Sequence, residues 1–493
     1  MRVTVDDSAV KPRRSPITIA ASAVLSLSVL AVSAVTAAAA TPSPWHRMGS
    51  VPDNFDQPGL VVDPDGTLHA VWVQPGAANT ENVIHTPANL AGVLGSPTTV
   101  QSGWAEIEAV PDLVSSSSGL QAFWGGMRSL DPTETNTDTN MASAPAAGSP
   151  WTLHQGNVAK GPGDYASGIG AALGAGDVPL TSWNATAGVY VHAGLDPTSA
   201  NYDVQAQLGG CCGYYPDTAY DPIGGDAWVA WVSNATNHSG VYVQQVDPSN
   251  AALIGSARQL PGSATTYAGT PDQFDPKIER TPIVASKNGV FVAYTAGYPD
   301  TNKIVLWKVT ASGVSTGTVL ATGSELAAPG ITTDSAGRLW VTWAQHGVVH
   351  ARRSNPSATR WGATVSLTHF PSDACDSLYE VTPAAATPVL DVVGTWTCNS
   401  GNALYLAQLY PGLTLVATPS HFSGKRTVTF TVTDAGVPVP GAKVSAGGKS
   451  ATTNAQGKAS FALGPVSHKE RIAATATKLH FTAGKTSVVV VPK

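Results

Sequence analysis

One pattern recurs seven times along this chain and constrains the fold more than any other feature. Each copy has a short strand, a turn, a strand with an aromatic residue near its end, and a further alternating strand. Seven sheet units of about fifty residues predict a β-propeller, because a single unit is too small to bury both of its faces. The aromatic residues of the seven copies are Trp72, Trp124, Trp183, Trp231, Tyr294, Trp343 and Trp396.

We expect these seven aromatic side chains, the marker aromatics, to pack between neighbouring blades. One buried tryptophan removes ~150–250 Å² from water, which stabilises a fold by roughly 4–6 kcal/mol at most. A structural role is therefore preferred to ligand contact at all seven positions.

Composition supports an all-β chain and argues against one class of partner. Charged residues make up 12% of the 493 residues, about half of the usual ~25%, whereas Gly (49) and Pro (36) are abundant. The formal net charge is −6, and no basic block follows the N-terminus. Phosphate binding needs clustered Lys and Arg, so nucleic acid is not expected as a partner.

The first forty residues are predicted to be a cleaved signal peptide. Lys11, Arg13 and Arg14 precede an apolar segment, and residues 38–40, three alanines, fit a small-residue cleavage site. The apolar segment is long enough to span a membrane, but its position and its alanine-rich end favour cleavage. We expect a secreted, extracellular protein with no membrane attachment after cleavage.

Residues 41–411 are assigned to the propeller, and residues 41–52 are expected to close its ring. The seventh copy lacks an outer strand, and residues 44–51 (PWHRMGSV) match the outer strands of other copies. Pairing of this segment with the last blade would remove an open sheet edge.

Residues 412–493 lose the fifty-residue period and predict a β-sandwich. Their alternating strands are separated by glycine-containing turns. The stretch from Val432 to Ala459 resembles bacterial Ig-like and carboxypeptidase-regulatory-like modules, and the resemblance implies a spacer or adhesive module without catalytic residues. The predicted fold class is therefore all-β, a seven-bladed β-propeller followed by a C-terminal Ig-like β-sandwich.

The blade sequence from Ala328 to Thr368 resembles the repeat of sialidase-like propellers. Of that family's Asp-box, S/T-x-D-x-G-x-T-W, residues 354–361 keep only Ser354 and Trp361. The family binds a substrate carboxylate with three arginines, whereas Arg280 is the one arginine here that opens a first strand. The resemblance implies a related blade type, and true sialidase activity is not expected.

The ligand site is expected at one end of the central channel, around the entries of the innermost strands. These entries hold many carboxylates and tyrosines, which suit a sugar site because rings stack on sugars and carboxylates accept hydroxyl protons. For Arg280 a surface ion pair with Glu279 is the alternative reading. The ligand-binding candidates are Asp56, Tyr165, Tyr214, Tyr215 and Arg280.

Four further entry residues are candidate catalytic groups. Glu106 and Glu108 have strand spacing and would point to one face, where close carboxylates can divide into an acid and a base. A solvated strand end is the alternative. Tyr379 followed by Glu380 can act as a tyrosine nucleophile activated by a carboxylate, as the sialidase-like resemblance implies.

The four cysteines are potential disulfide partners in an exported chain. Cys375 and Cys398 flank a predicted hairpin, so their thiols would face each other across its arms. Cys211 and Cys212 have no such counterpart, and we predict a vicinal disulfide that stiffens the loop before Tyr214, with two free thiols as the alternative. Two adjacent thiols cannot supply a tetrahedral ligand set, so neither a metal site nor a cofactor is expected.

Three functions remain open from the sequence. The first is a glycoside hydrolase or polysaccharide lyase that acts on an extracellular glycan at the channel mouth. The second is a non-catalytic glycan-binding or adhesive propeller, presented by the Ig-like module to a cell-surface polysaccharide. The third is a scaffold without a small ligand. A monomer is expected in each case.

Overall fold

The computed structural model describes residues 44–493 except 53–56, 129–137, 155, 161–167, 186–187, 209–212, 236–237, 264–277, 279, 297–301, 311–312, 315–316, 369, 372–374 and 387. Strands account for nearly all regular structure, which confirms the all-β class. Within the described part, short 3₁₀ turns occur at Ala77–Asn79, Ala175–Asp177 and Ala206–Leu208. None of the helices described is long and apolar enough to cross a membrane.

The first thirty strands form seven antiparallel sheets, called blades 1 to 7 in chain order. After β1 (His46–Ser50), blade 1 has β2 (Gly59–Val62), β3 (Leu68–Pro75), β4 (Glu81–Ala88) and β5 (Thr98–Trp104). Blade 2 has β6 (Glu106–Ser116), β7 (Gly119–Met127), β8 (Asp138–Ala144), β9 (Thr152–Leu153) and β10 (Ala159–Lys160). Blade 3 has β11 (Gly170–Leu173), β12 (Pro179–Ala185), β13 (Gly188–Ala193) and β14 (Tyr202–Asp203).

The remaining four blades repeat this order. Blade 4 has β15 (Gly213–Asp221), β16 (Asp226–Ala235), β17 (His238–Val246) and β18 (Leu253–Gln259). Blade 5 has β19 (Ile283–Ser286), β20 (Gly289–Ala296), β21 (Lys303–Thr310), β22 (Gly313–Val314) and β23 (Thr318–Thr322). Blade 6 has β24 (Leu326–Thr333), β25 (Leu339–Gln345), β26 (Val348–Arg353) and β27 (Val365–Leu367). Blade 7 has β28 (Cys375–Ala385), β29 (Leu390–Cys398) and β30 (Gly401–Leu409).

The blades are arranged in a closed ring. The first strand of each blade contacts the first strand of the next, and β28 of blade 7 contacts β2 of blade 1. These seven innermost strands therefore surround a central channel, which is the arrangement of a β-propeller. β1 pairs with β30 as the outermost strand of blade 7, so the chain's first described strand lies in its last blade.

The core of the ring is divided into seven clusters, one at each boundary between blades. Trp124, for example, packs with Val71 and Val83 of the preceding blade, and Trp72 packs with Val393 and Leu406 of blade 7. Each cluster contains one marker aromatic, and all seven are less than 5% exposed. The aromatic period therefore reports the packing between blades.

A buried histidine pair lies in blade 1 against blade 2. Nδ1 of His69 is 2.9 Å from Nε2 of His85, and Nε2 of His69 is 3.3 Å from a carboxylate oxygen of Asp63. Nδ1 of His85 is 3.2 Å from the hydroxyl of Thr98. Burial lowers the pKa of His69, and burial together with the neighbouring imidazole lowers the pKa of His85 to about 4.

Cys375 and Cys398 form a disulfide across β28 and β29, which confirms the predicted pairing. The two half-cystines are register partners in neighbouring strands. Their bond closes a loop with a sequence separation of 23 at the entry of blade 7.

The last nine strands form two further sheets, the C-terminal module. One sheet contains β31, β33, β34 and β37, and the other has the order β32-β39-β38-β35-β36. The two sheets share one hydrophobic cluster, which includes Phe430, Val444 and Val488. The strands are β31 (Thr414–Thr418), β32 (His421–Ser423), β33 (Arg426–Asp434), β34 (Val437–Pro438), β35 (Lys443–Ala446), β36 (Lys449–Thr452), β37 (Lys458–Leu463), β38 (Glu470–Thr477) and β39 (Gly484–Val491).

A buried cluster of four charges joins the module to blade 6. Asp434 of β33 accepts from Nη1 of Arg353 and lies against Nη1 of Arg338, both at 2.8 Å. Arg353 also pairs with Asp334, which in turn accepts from the backbone N–H of Arg338 at 3.0 Å. All four side chains are at most 8% exposed, so each charge depends on the others for compensation.

Candidate functional site

A cavity of about 520 Å³ lies in the central channel. All seven innermost strands contribute to its lining, so the cavity is a property of the ring rather than of one blade. Its volume falls in the range of roughly 300–1,000 Å³ that small-molecule sites occupy. Most of the wall is small or aliphatic, with Val61, Leu113, Ala172 and Ile331 as examples, and the charged groups are confined to one level.

That level is formed by seven positions, one from the first-strand region of each blade. Three are glycine because the next blade comes too close for a side chain. A Cβ atom on Gly59 would lie 2.7 Å from Cα of Asp112, and one on Gly170 would lie 2.4 Å from Cα of Asp217. Glycine in one blade thus brings the carboxylate-bearing strand of the next blade to the channel. The seven positions are Gly59, Asp112, Gly170, Asp217, Pro282, Gly330 and Pro383.

A β-bulge precedes this level in blades 2, 4 and 6. In each bulge two residues of the innermost strand lie opposite one marker tryptophan of the second strand. The second bulge residue is proline in every case, which costs little because the bulge leaves it outside the ladder. Bulges bend the strand and re-aim the following side chain, and in blades 2 and 4 that side chain is an aspartate. The bulge pairs are Val110–Pro111, Tyr215–Pro216 and Ala328–Pro329.

Arg280 precedes blade 5 and makes hydrogen bonds across the channel to the inner-strand regions of blades 1, 2 and 3. Its guanidinium donates to the carbonyl of Pro58 at 2.6 Å, of Pro111 at 3.0 Å and of Ile169 at 3.4 Å. Its backbone N–H donates to Oε1 of Gln57 at 3.0 Å. Arg280 is only 4% exposed and therefore does not lie on the surface, while Glu279, its partner in the alternative, lies outside the described residues.

Two carboxylates share the positive charge of Arg280. Oδ1 of Asp112 lies 3.9 Å from Nη1 of Arg280, and Asp112 accepts backbone N–H bonds from Leu113 and Ala171, both at 2.8 Å. Burial, and then the charge of Asp112, raise the pKa of Asp217 well above its ordinary value, while Arg280 opposes the shift. The two carboxyl groups therefore sit in unlike environments, which is the arrangement that separates an acid from a base.

Of the predicted entry carboxylates, Glu106 and Glu108 are both half-buried in β6. The ladder is irregular between Ile107 and Ala109, so Glu108 lies at an interruption of the strand spacing on which the pairing was based. Glu106 instead has Glu81 nearby. Burial raises the pKa of Glu81, and the charge of Glu106 raises it further. The carboxylate of Glu81 accepts a hydrogen bond from the backbone N–H of Ile107 at 2.6 Å.

The predicted Tyr379–Glu380 pair lies at the start of blade 7. Tyr379 is half-buried, and the ladder is irregular between Leu378 and Glu380. Glu380 is 2% exposed and is the register partner of Thr395. Neither residue lines the channel cavity described above.

Tyr214 and Tyr215 form a pair of half-buried rings at the start of β15. Their ring centroids are 5.9 Å apart, and Tyr215 has a left-handed backbone conformation with φ of 54°. The other predicted groups of this region, Asp56, Tyr165, Cys211 and Cys212, lie outside the described residues. Among the described members of the predicted set, Arg280 lines the cavity.

Sequence analysis missed Asp112, Asp217 and Glu81. A signal for the two aspartates exists in the repeat, because the chain reads VPD and YPD where blade 6 reads APG. Charge at a position that elsewhere holds glycine or proline marks a departure from the blade pattern. Glu81 has no comparable signal, since its proximity to Glu106 depends on the contact between blades 1 and 2.

The described residues contain no group of three or more His, Cys, Asp or Glu side chains that could hold a metal ion. Among the described residues that line the channel cavity, Asp112, Asp217 and Arg280 are the ones with charged groups.

Comparisons with known proteins give similarities of shape alone. No family model matches the sequence, and no protein of curated function does. A puromycin-hydrolysing peptidase of Mycobacterium tuberculosis is 13% identical with a TM-score of 0.43, covering 88% of this chain and 61% of the peptidase. This chain therefore spans about three-fifths of the peptidase's length.

Two sugar-processing enzymes are also similar in shape. An α-L-arabinanase of Penicillium chrysogenum is 11% identical with a TM-score of 0.39, covering 75% of this chain and 98% of the enzyme. An α-L-arabinofuranosidase of Podospora anserina is 9% identical with a TM-score of 0.30, covering 63% of this chain and 92% of the enzyme. At these scores the similarities assign neither a family nor an activity.

Proposed function

We propose that the protein is a secreted, carbohydrate-active propeller, and that it hydrolyses glycosidic bonds in the channel cavity. One observation carries the proposal. Asp112 and Asp217 face the same cavity in unlike environments, and burial raises the pKa of Asp217 well above its ordinary value. Glycoside hydrolysis requires one carboxylic acid and one carboxylate on either side of the scissile bond.

In this proposal Asp217 is the general acid. Its raised pKa favours the protonated form over that of an ordinary carboxyl group, and the proton passes to the glycosidic oxygen as the bond to the anomeric carbon breaks. Asp112 is the carboxylate that either activates a water or attacks the anomeric carbon. Arg280 is a positioning residue, since its bonds to three blades hold both carboxylates at one level.

The test is turnover of a polysaccharide and oligosaccharide panel, measured as new reducing ends. Asp217→Asn and Asp112→Asn should each lower kcat by about 10²- to 10⁴-fold, the contribution of one acid or base. Asp226→Asn is the matched control, because Asp226 lies in the same blade and bonds to Gln245 away from the cavity. Aryl glycosides with good leaving groups need little protonation, so they should lose less rate in Asp217→Asn than natural glycosides do.

Other outcomes would move or refute the site. Turnover that survives both aspartate changes but is lost in Glu106→Gln would place the reaction at the strand entries. Turnover in the wild type that neither set of changes affects would refute both sites.

A non-catalytic glycan-binding propeller is the second candidate, and the Tyr214–Tyr215 ring pair favours it. Two adjacent rings at the start of an innermost strand suit stacking on a sugar. A glycan array would then give hits without turnover, and Tyr214→Ala would remove them. Array binding that is unchanged in Tyr214→Ala would argue against this candidate.

Export and the nature of the module belong to the same proposal. Residues 1–40 act as a signal peptide on the basis of their basic, apolar and small-residue segments. A disulfide is compatible with an oxidising extracellular location. The two C-terminal sheets with a shared core support an Ig-like module that presents the propeller. Mass spectrometry of the exported protein tests the first point, since an N-terminus near Thr41 is expected.

A further inference from the structure

Charge is divided unequally between the two regions of the chain. Residues 412–493 contain ten Lys and Arg but only two Asp and Glu, whereas residues 41–411 contain 13 and 29. One of the module's two acids, Asp434, is 2% exposed and is neutralised by arginines of blade 6. The charge that the module exposes to solvent is therefore almost entirely positive, with Glu470 as the one exposed acid.

The strand register collects part of this charge on one sheet face. Side chains alternate along each strand, so Arg471 of β38, Lys485 of β39 and Lys443 of β35 project from the face opposite the shared core. All three are exposed, while their strand neighbours Ile472 and Val444 are buried. We call this surface the basic face.

Hydroxyl side chains occupy the positions between the three cations. They are Thr475, Thr477, Ser445, Ser450, Thr452 and Ser487, and the guanidinium of Arg471 donates to the hydroxyl of Ser487 at 3.3 Å. No Phe, Tyr or Trp lies on the outward positions of these fully described strands. The face thus offers cations and hydrogen bonds but no ring for stacking.

The spacing of the cations points to a long ligand. Strands lie about 4.8 Å apart and alternate residues about 6.8 Å apart, so Lys443, Lys485 and Arg471 have Cα atoms roughly 12–14 Å from their neighbours in the set. Lys443 lies opposite Thr477, six residues along β38 from Arg471, so the Cα atoms of these two outermost cations are roughly 20 Å apart and a single small anion does not contact all three side chains at once. A polymer that carries charges along its length can contact all three.

A second cavity, of about 610 Å³, opens at the Arg471 end of this face. His421, Lys469, Arg471 and Ser487 line it together with the carboxylate of Glu470. Cations outnumber the carboxylate, so the cavity favours an anionic group while leaving one acceptor for a sugar hydroxyl or a water.

We propose that the basic face binds an extended acidic polysaccharide through Lys443, Lys485 and Arg471. Nucleic acid fits less well, because single strands are held by stacking on successive aromatic side chains, whereas the outward positions of these strands carry no Phe, Tyr or Trp and the adjoining cavity supplies one imidazole, that of His421. A neutral glycan also fits less well, because it gains nothing from the charge. The acidic propeller repels the same polymer, so the module is an anchor whose ligand is distinct from the channel's substrate. This inference does not depend on hydrolysis in the channel.

The test measures binding of the whole protein to polygalacturonate, dextran sulfate and neutral dextran by biolayer interferometry. We expect binding to one or both acidic polymers and none to neutral dextran. Since Debye screening shortens from ~14 to ~6 Å between about 50 and about 300 mM salt, the affinity should fall by at least about tenfold over that range. Polygalacturonate and dextran sulfate distinguish carboxylate from sulfate recognition.

Two triple variants distinguish binding by the basic face from attraction by the net charge of the module. Lys443→Gln, Lys485→Gln and Arg471→Gln together should lower affinity by more than about tenfold. Lys425→Gln, Lys458→Gln and Lys493→Gln remove the same charge elsewhere on the module and should change affinity by less than about threefold. Circular dichroism and thermal melting confirm that both variants fold.

Several results would overturn the proposal. They are an equal loss in both variants, an absence of binding to either acidic polymer, or tighter binding to a short DNA duplex than to the polysaccharides. Sedimentation at the same concentrations would detect salt-sensitive self-association between the module and an acidic propeller, which would also overturn it.

Discussion

The propeller and the C-terminal module are both built from antiparallel strands, yet they place aromatic rings and charges in opposite ways. All thirteen tryptophans lie in residues 41–411, and residues 412–493 contain no Trp, Tyr or Cys. The propeller divides its core among seven boundaries, whereas the module has one cluster between two sheets. The propeller buries a small set of its charged side chains, among them Arg280 at the channel and Arg338 and Arg353 against the module, whereas Asp434 is the one buried charged residue of the module.

The difference shows that strands of the same kind can support two roles: a buried ionisable group at a fixed position, or an exposed cation that attracts partners. Asp217, an ionisable group buried beside Asp112 and Arg280, has a raised pKa and a fixed position. An exposed cation such as Lys443 keeps its freedom and attracts partners over a distance. The following experiments test this contrast, beginning with the largest expected effect.

Asp434→Ala breaks the buried charge cluster that, among the described residues, joins the two regions. The change leaves Arg338 and Arg353 with Asp334 as their remaining carboxylate partner in the cluster, so we expect a loss of about 3–5 kcal/mol in the free energy of unfolding. Urea unfolding followed by tryptophan fluorescence, which reports on the propeller alone, measures it. The double variant Asp434→Ala, Arg338→Met restores charge balance and should recover part of the loss. A loss below about 1 kcal/mol would show that water reaches the cluster.

Removal of the disulfide should affect the propeller and spare the module. Cys375→Ala with Cys398→Ala opens a loop with a sequence separation of 23, and we expect a loss of about 3 kcal/mol. Tryptophan fluorescence should report the change, while amide exchange in β38 and β39 stays as in the wild type. Faster exchange in those strands would indicate that the two regions unfold as one unit.

Acid should loosen the propeller through the histidine pair. The unfolded chain binds a proton at His85 below about pH 6.5, whereas the folded chain binds it only near pH 4, so stability falls as pH decreases. The contribution at pH 5 is about 2 kcal/mol. Wild type should therefore lose about 2 kcal/mol more than His85→Gln between pH 7 and pH 5.

Two checks isolate this effect. Burial raises the pKa of Asp391 to about 6, which stabilises the folded state as pH falls, but this contribution is common to wild type and variant and cancels. His238→Gln, a change at an exposed histidine, should keep the wild-type pH dependence. Parallel pH profiles for wild type and His85→Gln would rule the histidine pair out.

The smallest effect is expected at the basic face. Lys443 is exposed, so Lys443→Gln should change the free energy of unfolding by less than about 0.5 kcal/mol. Urea unfolding followed by far-ultraviolet circular dichroism covers both regions. A larger loss would mean that the cation supports the fold and would weaken its assignment to ligand binding.

The features that the sequence predicted well depend on a repeated motif or on residues close together in the chain. The marker aromatics recur at the packing boundaries, so their period shows the number of blades. Cys375 and Cys398 face each other because hairpin register follows from the chain between them. The pairing of β1 with β30 also has a visible cause, the resemblance of residues 44–51 to the outer strands.

Of the residues at the channel site, sequence analysis named Arg280 but not Asp112 or Asp217, because the proximity of these groups depends on contacts between blades. Arg280 bonds to Pro58, 222 residues away, and Asp112 lines the same cavity as Asp217 because Gly59 and Gly170, in two other blades, let their strands approach. Sequence reasoning placed the site at the strand entries, where part of the chain is not described. The roles of Glu106, Glu108, Tyr379, Glu380, Tyr214 and Tyr215 therefore stay predictions.

The pairing of β1 with β30 decides where the ring can come apart. The chain runs from β1 in blade 7 directly to β2 in blade 1, so a covalent link crosses that boundary as it crosses the other six. The two ends of the propeller segment, β1 and β30, meet inside the sheet of blade 7 and are held together by backbone hydrogen bonds. An open array of repeats frays from its terminal units, but this ring has none, and it can open only by peeling a strand from a blade.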